Sequence, residues 1–316
     1  MSLQKVLVTG GAGFIGGNIV RRLLSDEKNR VTVYDNLSSG NVSALPSSDR
    51  LVFIKGDVLD FPHIKTAMRD HDIVFHLSTN PNTAKGLVET DLDLRQGTVA
   101  TYNVLESMRI NNVQTIVFPS GSGVYGEVGN RRVAEDYGPL FPISMYGATK
   151  LASEAMISCF CHAFEMYGYI FRLGNVIGDG LTHGVVLDFI RKLKRDPKKL
   201  LVLGDGHQTK PYIHVNDVLD AMLLVLQKAK DRVNLYNVAT DDWPNVRWIA
   251  QTVIREMGLQ DTLIQYTEND RGWKGDVPVI KLDTTKLKRL GWKCRLSSRE
   301  AIVSAIRSNL KENLRA

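Results

Sequence analysis

Residues 5–16 read KVLVTGGAGFIG, and the fold turns on how this stretch is read. KVLVT (5–9) is a short apolar run that ends in glycines. Beyond it, Phe14 to Ser25 sets Ile15, Ile19 and Leu23 on one helical face, with Val20 and Leu24 beside it. Gly10, Gly13 and Gly16 fall between the two with G-x-x-G-x-x-G spacing. Side chains at the first two positions are expected to block backbone approach to a pyrophosphate. The third is expected to allow close packing of helix on strand. The helix start, with Phe14 and Ile15, supplies free N–H groups and a partial positive charge.

The next apolar run, RVTVYD (30–35), ends in Asp35. A carboxylate there can accept both adenosine ribose hydroxyls and would repel a 2′-phosphate. No arginine follows; Asn36, Leu37 and Ser38 do, and then Gly40. The cofactor indicated is NAD rather than NADP. Asp57 closes LVFIKGD (51–57) and precedes Val58; it either meets the adenine edge or caps the next helix. Leu77 and Ser78 end DIVFHL and its continuation, where backbone is expected to line the cofactor.

Further outward the alternation continues. QTIVFP (114–119) and YIFRL (169–173) read as strands, with helical patterns near 61–69, 88–111 and 145–167. Strands this uniformly apolar are buried on both faces, as in a parallel sheet covered by helices. The fold class is therefore α/β: a Rossmann-type, doubly wound parallel sheet over residues 1–174. Residues 175–316 read as a smaller, mixed α/β substrate lobe. It has helices at 185–195, 216–229, 246–257, 284–290 and 297–313, and strands at 200–204, 212–215 and 234–239. Segments within 212–240 are candidates to pack back on the first domain.

Composition excludes several classes. The chain has 316 residues, 43% hydrophobic and 23% charged, as in a soluble globular protein. No apolar run approaches the roughly 20 residues of a membrane span, and MSLQKVLVTG shows no signal peptide. The three cysteines lack metal-ligand spacing and read as free thiols in a reducing cytoplasm. The net charge of +6 is read mainly as solvated surface. The basic cluster RKLKRDPKK (191–199) has no interleaved aromatics to stack bases, so nucleic acid is not an expected partner.

The chemistry points to Tyr146 and Lys150, a Y-x-x-x-K pair on one helical face. A free tyrosine ionises near about 10. An ammonium one turn away, with an oxidised nicotinamide, favours phenolate. Tyr146 can then take an alcohol proton as hydride leaves for the cofactor, and Lys150 can also hold the nicotinamide ribose.

At these residues the chain resembles a known family. TGGAGFIG, YDNLSSG (34–40), GDVLD (56–60), VFHLS (74–78), SGVYGE (122–127), PISMYGATK (142–150), GNVIG (174–178) and GDGHQTKPYIHVNDV (204–218) look like the extended short-chain dehydrogenases/reductases. Within them the resemblance is to the NAD-dependent epimerase/dehydratase branch, of the UDP-glucose 4-epimerase type. It covers essentially the whole chain. It implies tightly held NAD, a nucleotide-sugar (UDP-sugar) substrate, and a homodimer built from helices near 90–110 and 145–165. Asn175 then reads either as a sugar or phosphate contact or as a turn residue. Lys210, Arg271 and Lys274 stand where the family binds diphosphate, with surface charge as the alternative. Asp276 resembles an element near the nucleotide ribose.

The departures matter as much. The family usually places a Ser or Thr three residues before the Val of V-Y-G, to bond the reacting hydroxyl. Here Gly121 stands there, flanked by Ser120 and Ser122, of which Ser122 is the preferred substitute. Gly97 replaces a usual Asn, Ser78-Thr79 a pair of alanines, and Lys210-Pro211 an Arg-Asp. The acidic residues that accompany elimination or decarboxylation in related enzymes are absent at Ser122 and Gly123. The resemblance then implies reversible oxidation at a sugar C4, which is 4-epimerisation. A dehydrogenase or reductase with net redox, and a catalytically weak NAD-binding scaffold, remain as alternatives.

Overall fold

The computed structural model describes residues 5–267 and 269–312. The first four residues, and the expected last residue of the final helix, Asn313, lie outside them. The chain begins β1 (Lys5–Thr9), α1 (Phe14–Leu24), β2 (Arg30–Asp35), β3 (Leu51–Lys55), α2 (Phe61–Ala67) and β4 (Ile73–His76). The helical pattern expected over 88–111 divides. A π-helical stretch, Leu94–Val99, runs directly into α3 (Ala100–Ile110). Then follow β5 (Thr115–Gly121), β6 (Arg132–Val133), α4 (Met145–Ala163), β7 (Tyr167–Leu173) and β8 (Asn175–Ile177). The remainder is α5 (Val185–Arg195), β9 (Lys199–Val202), β10 (Tyr212–His214), α6 (Val215–Lys228), β11 (Val233–Val238), α7 (Val246–Glu256), β12 (Leu263–Tyr266), β13 (Lys281–Leu282), α8 (Thr285–Arg289) and α9 (Ser298–Glu312).

The main sheet has seven parallel strands in the order β11-β7-β5-β4-β1-β2-β3. Its two faces are both covered, which explains the unbroken apolar runs. Val6 and Val8 of β1 pack with Ile19 and Leu23 of α1. Leu7, on the opposite face, packs with Met68, Val104 and Leu105. Strand order reverses between β1 and β4. At such a switch point the crevice outside the strand ends is left open for a ligand.

The second half of the chain does not stand apart. β11 joins the main sheet beside β7, with Val233 opposite Gly168 and Val238 opposite Leu173. Among the described residues, the short parallel pairs β8–β10 and β9–β12 form sheets of their own on that side, and β13 pairs with β6 of the first half. Side-chain caps fix the helix starts: Asp60 accepts from His63 N, Ser144 from Gly147 N and Asn245 from Trp248 N. Helix α1 is different, because Gly13 at its N-cap has no side chain to offer. Among the described residues, no helix is long and apolar enough to cross a membrane.

Candidate active site

One cavity follows the C-terminal ends of β1 to β5 and β7. It gathers Gly10, Gly13, Phe14, Ile15 and Gly16, then Asp35, Asn36 and Ser38, then Asp57 and Val58, then Leu77 and Ser78. Ser120, Gly121, Tyr146 and Lys150 complete it at the other end. Residues far apart in sequence thus meet where the strand order reverses.

The three glycines divide the work differently from the expectation. Gly10 has φ +70°, and a Cβ there would lie 2.7 Å from the Ser78 nitrogen. Its smallness serves the turn and the packing against β4's end. Gly16 would place a Cβ 2.1 Å from the Gly10 oxygen, the close helix–strand approach expected of it. Gly13 is the position open to a ligand: the nearest atom to its Cβ would be Gly10 O at 3.3 Å. With α1 uncapped, the loop offers N–H groups and a positive helix end to an anion.

Asp35 is buried, and its carboxylate also holds the loop. Oδ2 accepts from Ala12 N at 3.0 Å, and Oδ1 from Leu37 N at 2.7 Å. Asn36 Nδ2 donates to Asp57 Oδ2 at 3.0 Å, and Asp57 Oδ1 accepts from Leu59 N at 2.9 Å. The cap of α2 itself is Asp60, so Asp57 shapes the turn while facing the cavity. Gly40 is not part of the lining. Its backbone lies on the glycine loop, where a Cβ would meet Ala12 C and O at 2.8 Å. A cradle open at Gly13, an uncapped helix end and a carboxylate at the end of β2 suit the pyrophosphate and ribose of a dinucleotide.

At the far end, Lys150 is buried and donates to Pro119 O at 2.8 Å. Its ammonium lies 4.4 Å from the Phe118 ring centroid and 5.6 Å from that of Tyr146. Burial pushes Lys150 down to about 7, against the pull of Glu154 one turn on. Burial, and then the Asp93 carboxylate, push the Tyr146 phenol up to about 12. An ammonium one turn away is expected to lower the Tyr146 phenol. In the protein alone burial dominates and disfavours the charged form of both groups; a bound cation would favour the phenolate. Glu154 is itself gripped by Arg172, whose Nη2 lies 2.7 Å from Oε2, and Arg172 stacks on the Tyr125 ring at 4.8 Å. This buried ion pair locks α4 to β7 and so fixes Lys150.

The two serines beside Gly121 part company. Ser120 is buried and lines the cavity, and its hydroxyl has no hydrogen-bond partner among the described residues. Ser122 opens a single helical turn, Ser122–Tyr125, and is not among the cavity's lining residues. Gly121 leaves room near the phenol: a Cβ would sit 3.8 Å from Tyr146 Cε1. Gly97 has the opposite character, because a Cβ would lie 2.7 Å from the Thr149 hydroxyl. A side chain as large as asparagine does not fit there without displacing α4.

The expected substrate residues form a separate polar patch. Lys210 is ion-paired with Asp276, which also accepts from Gly272 N at 3.3 Å. Asn175 lies opposite Tyr212 in the β8–β10 pair. A Cβ on Gly275 would be 3.1 Å from Ile143 O, so this patch abuts the start of α4. Arg271 pairs instead with Glu127 at 2.8 Å and Asp270 at 3.0 Å. Sequence reasoning missed Gln96, Thr182 and His183, which line the main cavity. The last two lie just before α5, and nothing in their spacing marks them as ligands.

A doubly wound parallel sheet, an open glycine loop and a buried Tyr–Lys pair in one cavity define an extended short-chain dehydrogenase/reductase. The chain belongs to the NAD dependent epimerase/dehydratase family, which it matches over residues 6–239. It is 31% identical to a putative UDP-glucose 4-epimerase of Methanocaldococcus jannaschii, over 94% of this chain and 95% of that one. It is also 31% identical to UDP-arabinose 4-epimerase 1 of Arabidopsis thaliana, over 98% of this chain and 77% of that one. Its fold matches the crystal structure of a UDP-galactose 4-epimerase with a TM-score of 0.88 and 34% identity, covering 98% of this chain and 99% of that one. The protein is an NAD-dependent sugar epimerase, and NAD is its cofactor.

Proposed function

We propose that the protein is a nucleotide-sugar 4-epimerase acting on a UDP-hexose of the UDP-glucose/UDP-galactose type. The observation that carries this reading is the pairing of Tyr146 and Lys150 with the unpartnered Ser120 hydroxyl in one cavity, with no carboxylate at 122 or 123 to drive elimination. NAD, when bound, supplies the acceptor and donor of hydride. The chain's own task is the proton. Tyr146 takes it from the C4 hydroxyl during oxidation and returns it to the C4 oxygen once the ketone has turned its other face. Lys150 stabilises the phenolate present before the first transfer and after the second; between them Tyr146 holds the proton as a phenol. Ser120, whose buried hydroxyl has no hydrogen-bond partner among the described residues, is proposed to bond the same oxygen, in place of the hydroxyl missing at Gly121. Asn175, Lys210 and Asp276 are proposed to hold the nucleotide diphosphate side, while Arg271, held by two carboxylates, is the weaker candidate.

The resemblance to an arabinose-type epimerase keeps a UDP-pentose as a second substrate class. We also propose a cytoplasmic homodimer built on the helices at 94–110 and 145–163. Leu94, Val99 and Tyr102 on the first, and Met145 and Phe164 at the ends of the second, are exposed apolar groups that such an interface would cover. The test of function is to incubate the NAD-loaded protein with UDP-glucose, UDP-N-acetylglucosamine and UDP-arabinose in turn. Sugar products are analysed while absorbance is followed at the NADH band. A C4 epimer without net NADH is expected. Stoichiometric NADH, or no turnover with any of the three, would overturn the reading.

A further inference from the structure

The mechanism leaves unused a buried carboxylate near the catalytic pair. Asp93 is 1% exposed. Its Oδ1 accepts from Asn80 Nδ2 at 2.9 Å, and its Oδ2 has no hydrogen-bond partner among the described residues. Gly86 leaves it no spare room, since a Cβ there would lie 2.2 Å from Oδ2 and 3.5 Å from Met145 Cβ.

Helix pairing brings this group to the catalytic tyrosine. The helix through 94–110 runs parallel to α4 with a fixed register. Gly97 abuts Thr149, and Thr98 Oγ1 donates to Thr149 O at 3.4 Å. One turn on, Thr101 Oγ1 donates to Ser153 Oγ at 3.1 Å. One turn back, the same register sets Asp93 level with Met145 and Tyr146. The contact at Gly97 is what permits so close an approach, which gives that departure from the family pattern a physical consequence.

We propose that Asp93 is a positioning residue of the catalytic pair, an electrostatic counterweight that opposes Lys150 at the Tyr146 phenol. An unpaired carboxylate in a desolvated setting acts over a longer range than a surface one. It resists loss of the Tyr146 proton, and Lys150 with the oxidised cofactor favours that loss. The balance suits a group that must both take and return a proton. The other charges around the ring do not duplicate it. Lys150 faces it from α4 itself. β5 presents only Pro119, Ser120 and Gly121. His76 on β4 is buried and held neutral, pushed down to about 3 by burial and then by Lys150. Asp35 and Asp57 line the opposite flank, with His183 exposed at the cavity rim. Beside Asp93, Lys85 is paired with Glu89 and Arg95 with Asp91, all exposed. Burial raises the phenol first and the Asp93 carboxylate adds to it, while burial raises the Asp93 carboxyl as well.

The inference rests on Tyr146 being the proton-transfer group, and its test needs no sugar. Tyrosinate absorbance is titrated in the NAD-loaded protein, and the contribution of Tyr146 is isolated by subtracting the Tyr146→Phe variant in each background. Asp93→Asn keeps an acceptor for Asn80 and removes the charge; Asp93→Leu removes both and stands in should the first variant fold poorly. In either, the Tyr146 midpoint is expected to fall by about one pH unit. The rising limb of kcat/KM against pH should move down with it. Asn80→Ala, which breaks the same contact but keeps the carboxylate, should produce no such fall. An unchanged or raised midpoint in the Asp93 variants would overturn the proposal. So would an equal fall in Asn80→Ala, which would assign the effect to packing rather than charge.

Discussion

The cofactor end and the substrate end of this protein are built on different principles. At the cofactor end the recognising groups are backbone: an uncapped helix start, glycines with no room or every need for room, and Asp35, which holds the loop it serves. At the proposed substrate end the candidate groups are long side chains already paired with one another, Lys210 with Asp276 and Arg271 with Glu127 and Asp270. The first end is pre-formed by local geometry. The second depends on contacts between residues 66 and 144 positions apart (210 to 276 and 127 to 271), and on the proposed reading it would exchange partners to engage a diphosphate.

The largest expected effect falls at the seam between the two. Tyr146→Phe should lower turnover about 10²–10⁴-fold while leaving NAD binding nearly unchanged, as read by fluorescence titration. Loss of NAD binding with it would mean that the tyrosine belongs to the cofactor end. Next come two glycines that look alike in sequence. Gly16→Ala should destabilise the protein by about 1–3 kcal/mol, seen as a lower melting temperature, because its Cβ would lie 2.1 Å from Gly10 O. Gly13→Ala should leave the melting temperature of the NAD-free protein near that of the parent and weaken NAD binding. Equal loss of stability in both would erase the distinction drawn between turn and cradle.

A smaller effect separates the ends directly. Lys210→Ala should raise KM for the nucleotide sugar about tenfold and leave NAD affinity alone, consistent with the roughly 1–3 kcal/mol of a charge-assisted bond. A change in NAD affinity without a change in KM would place Lys210 on the wrong side of the comparison. The least effect is expected at the serines. Ser120→Ala should reduce kcat roughly fivefold, about one hydrogen bond's worth, and Ser122→Ala should be near neutral. The reverse order would show that the turn at 122–125 rearranges to bring Ser122 inward.

The same contrast explains what the sequence makes legible. Strand, glycine loop and helix are contiguous, so the first βα unit is readable from periodicity and spacing. Asp35 follows from its place at a strand end and Tyr146–Lys150 from theirs at a helix start. What lies beyond reading is set by long-range packing. Strand 234–239 is visible as a strand, but its place beside β7 in the main sheet is decided by pairing across 65 positions (233 to 168). The π-helical stretch at 94–99 is invisible to a helical pattern, and with it the register that brings Asp93 to the phenol. Ser120 and Ser122 could not be separated by strand alternation, because β5 ends at Gly121 and a helical turn begins at Ser122. Lowering of Tyr146 by Lys150 is sound chemistry for an ion pair in water, but both groups are desolvated here and burial dominates.

The central claim is that hydride leaves and returns to the same sugar carbon while Tyr146 handles the proton. It is tested most directly with UDP-glucose deuterated at C4, incubated with the NAD-loaded protein. The account predicts the galacto epimer with deuterium retained at C4 and no accumulation of NADH. Epimer with solvent hydrogen at C4, or deuterium held in accumulated NADH, would contradict it.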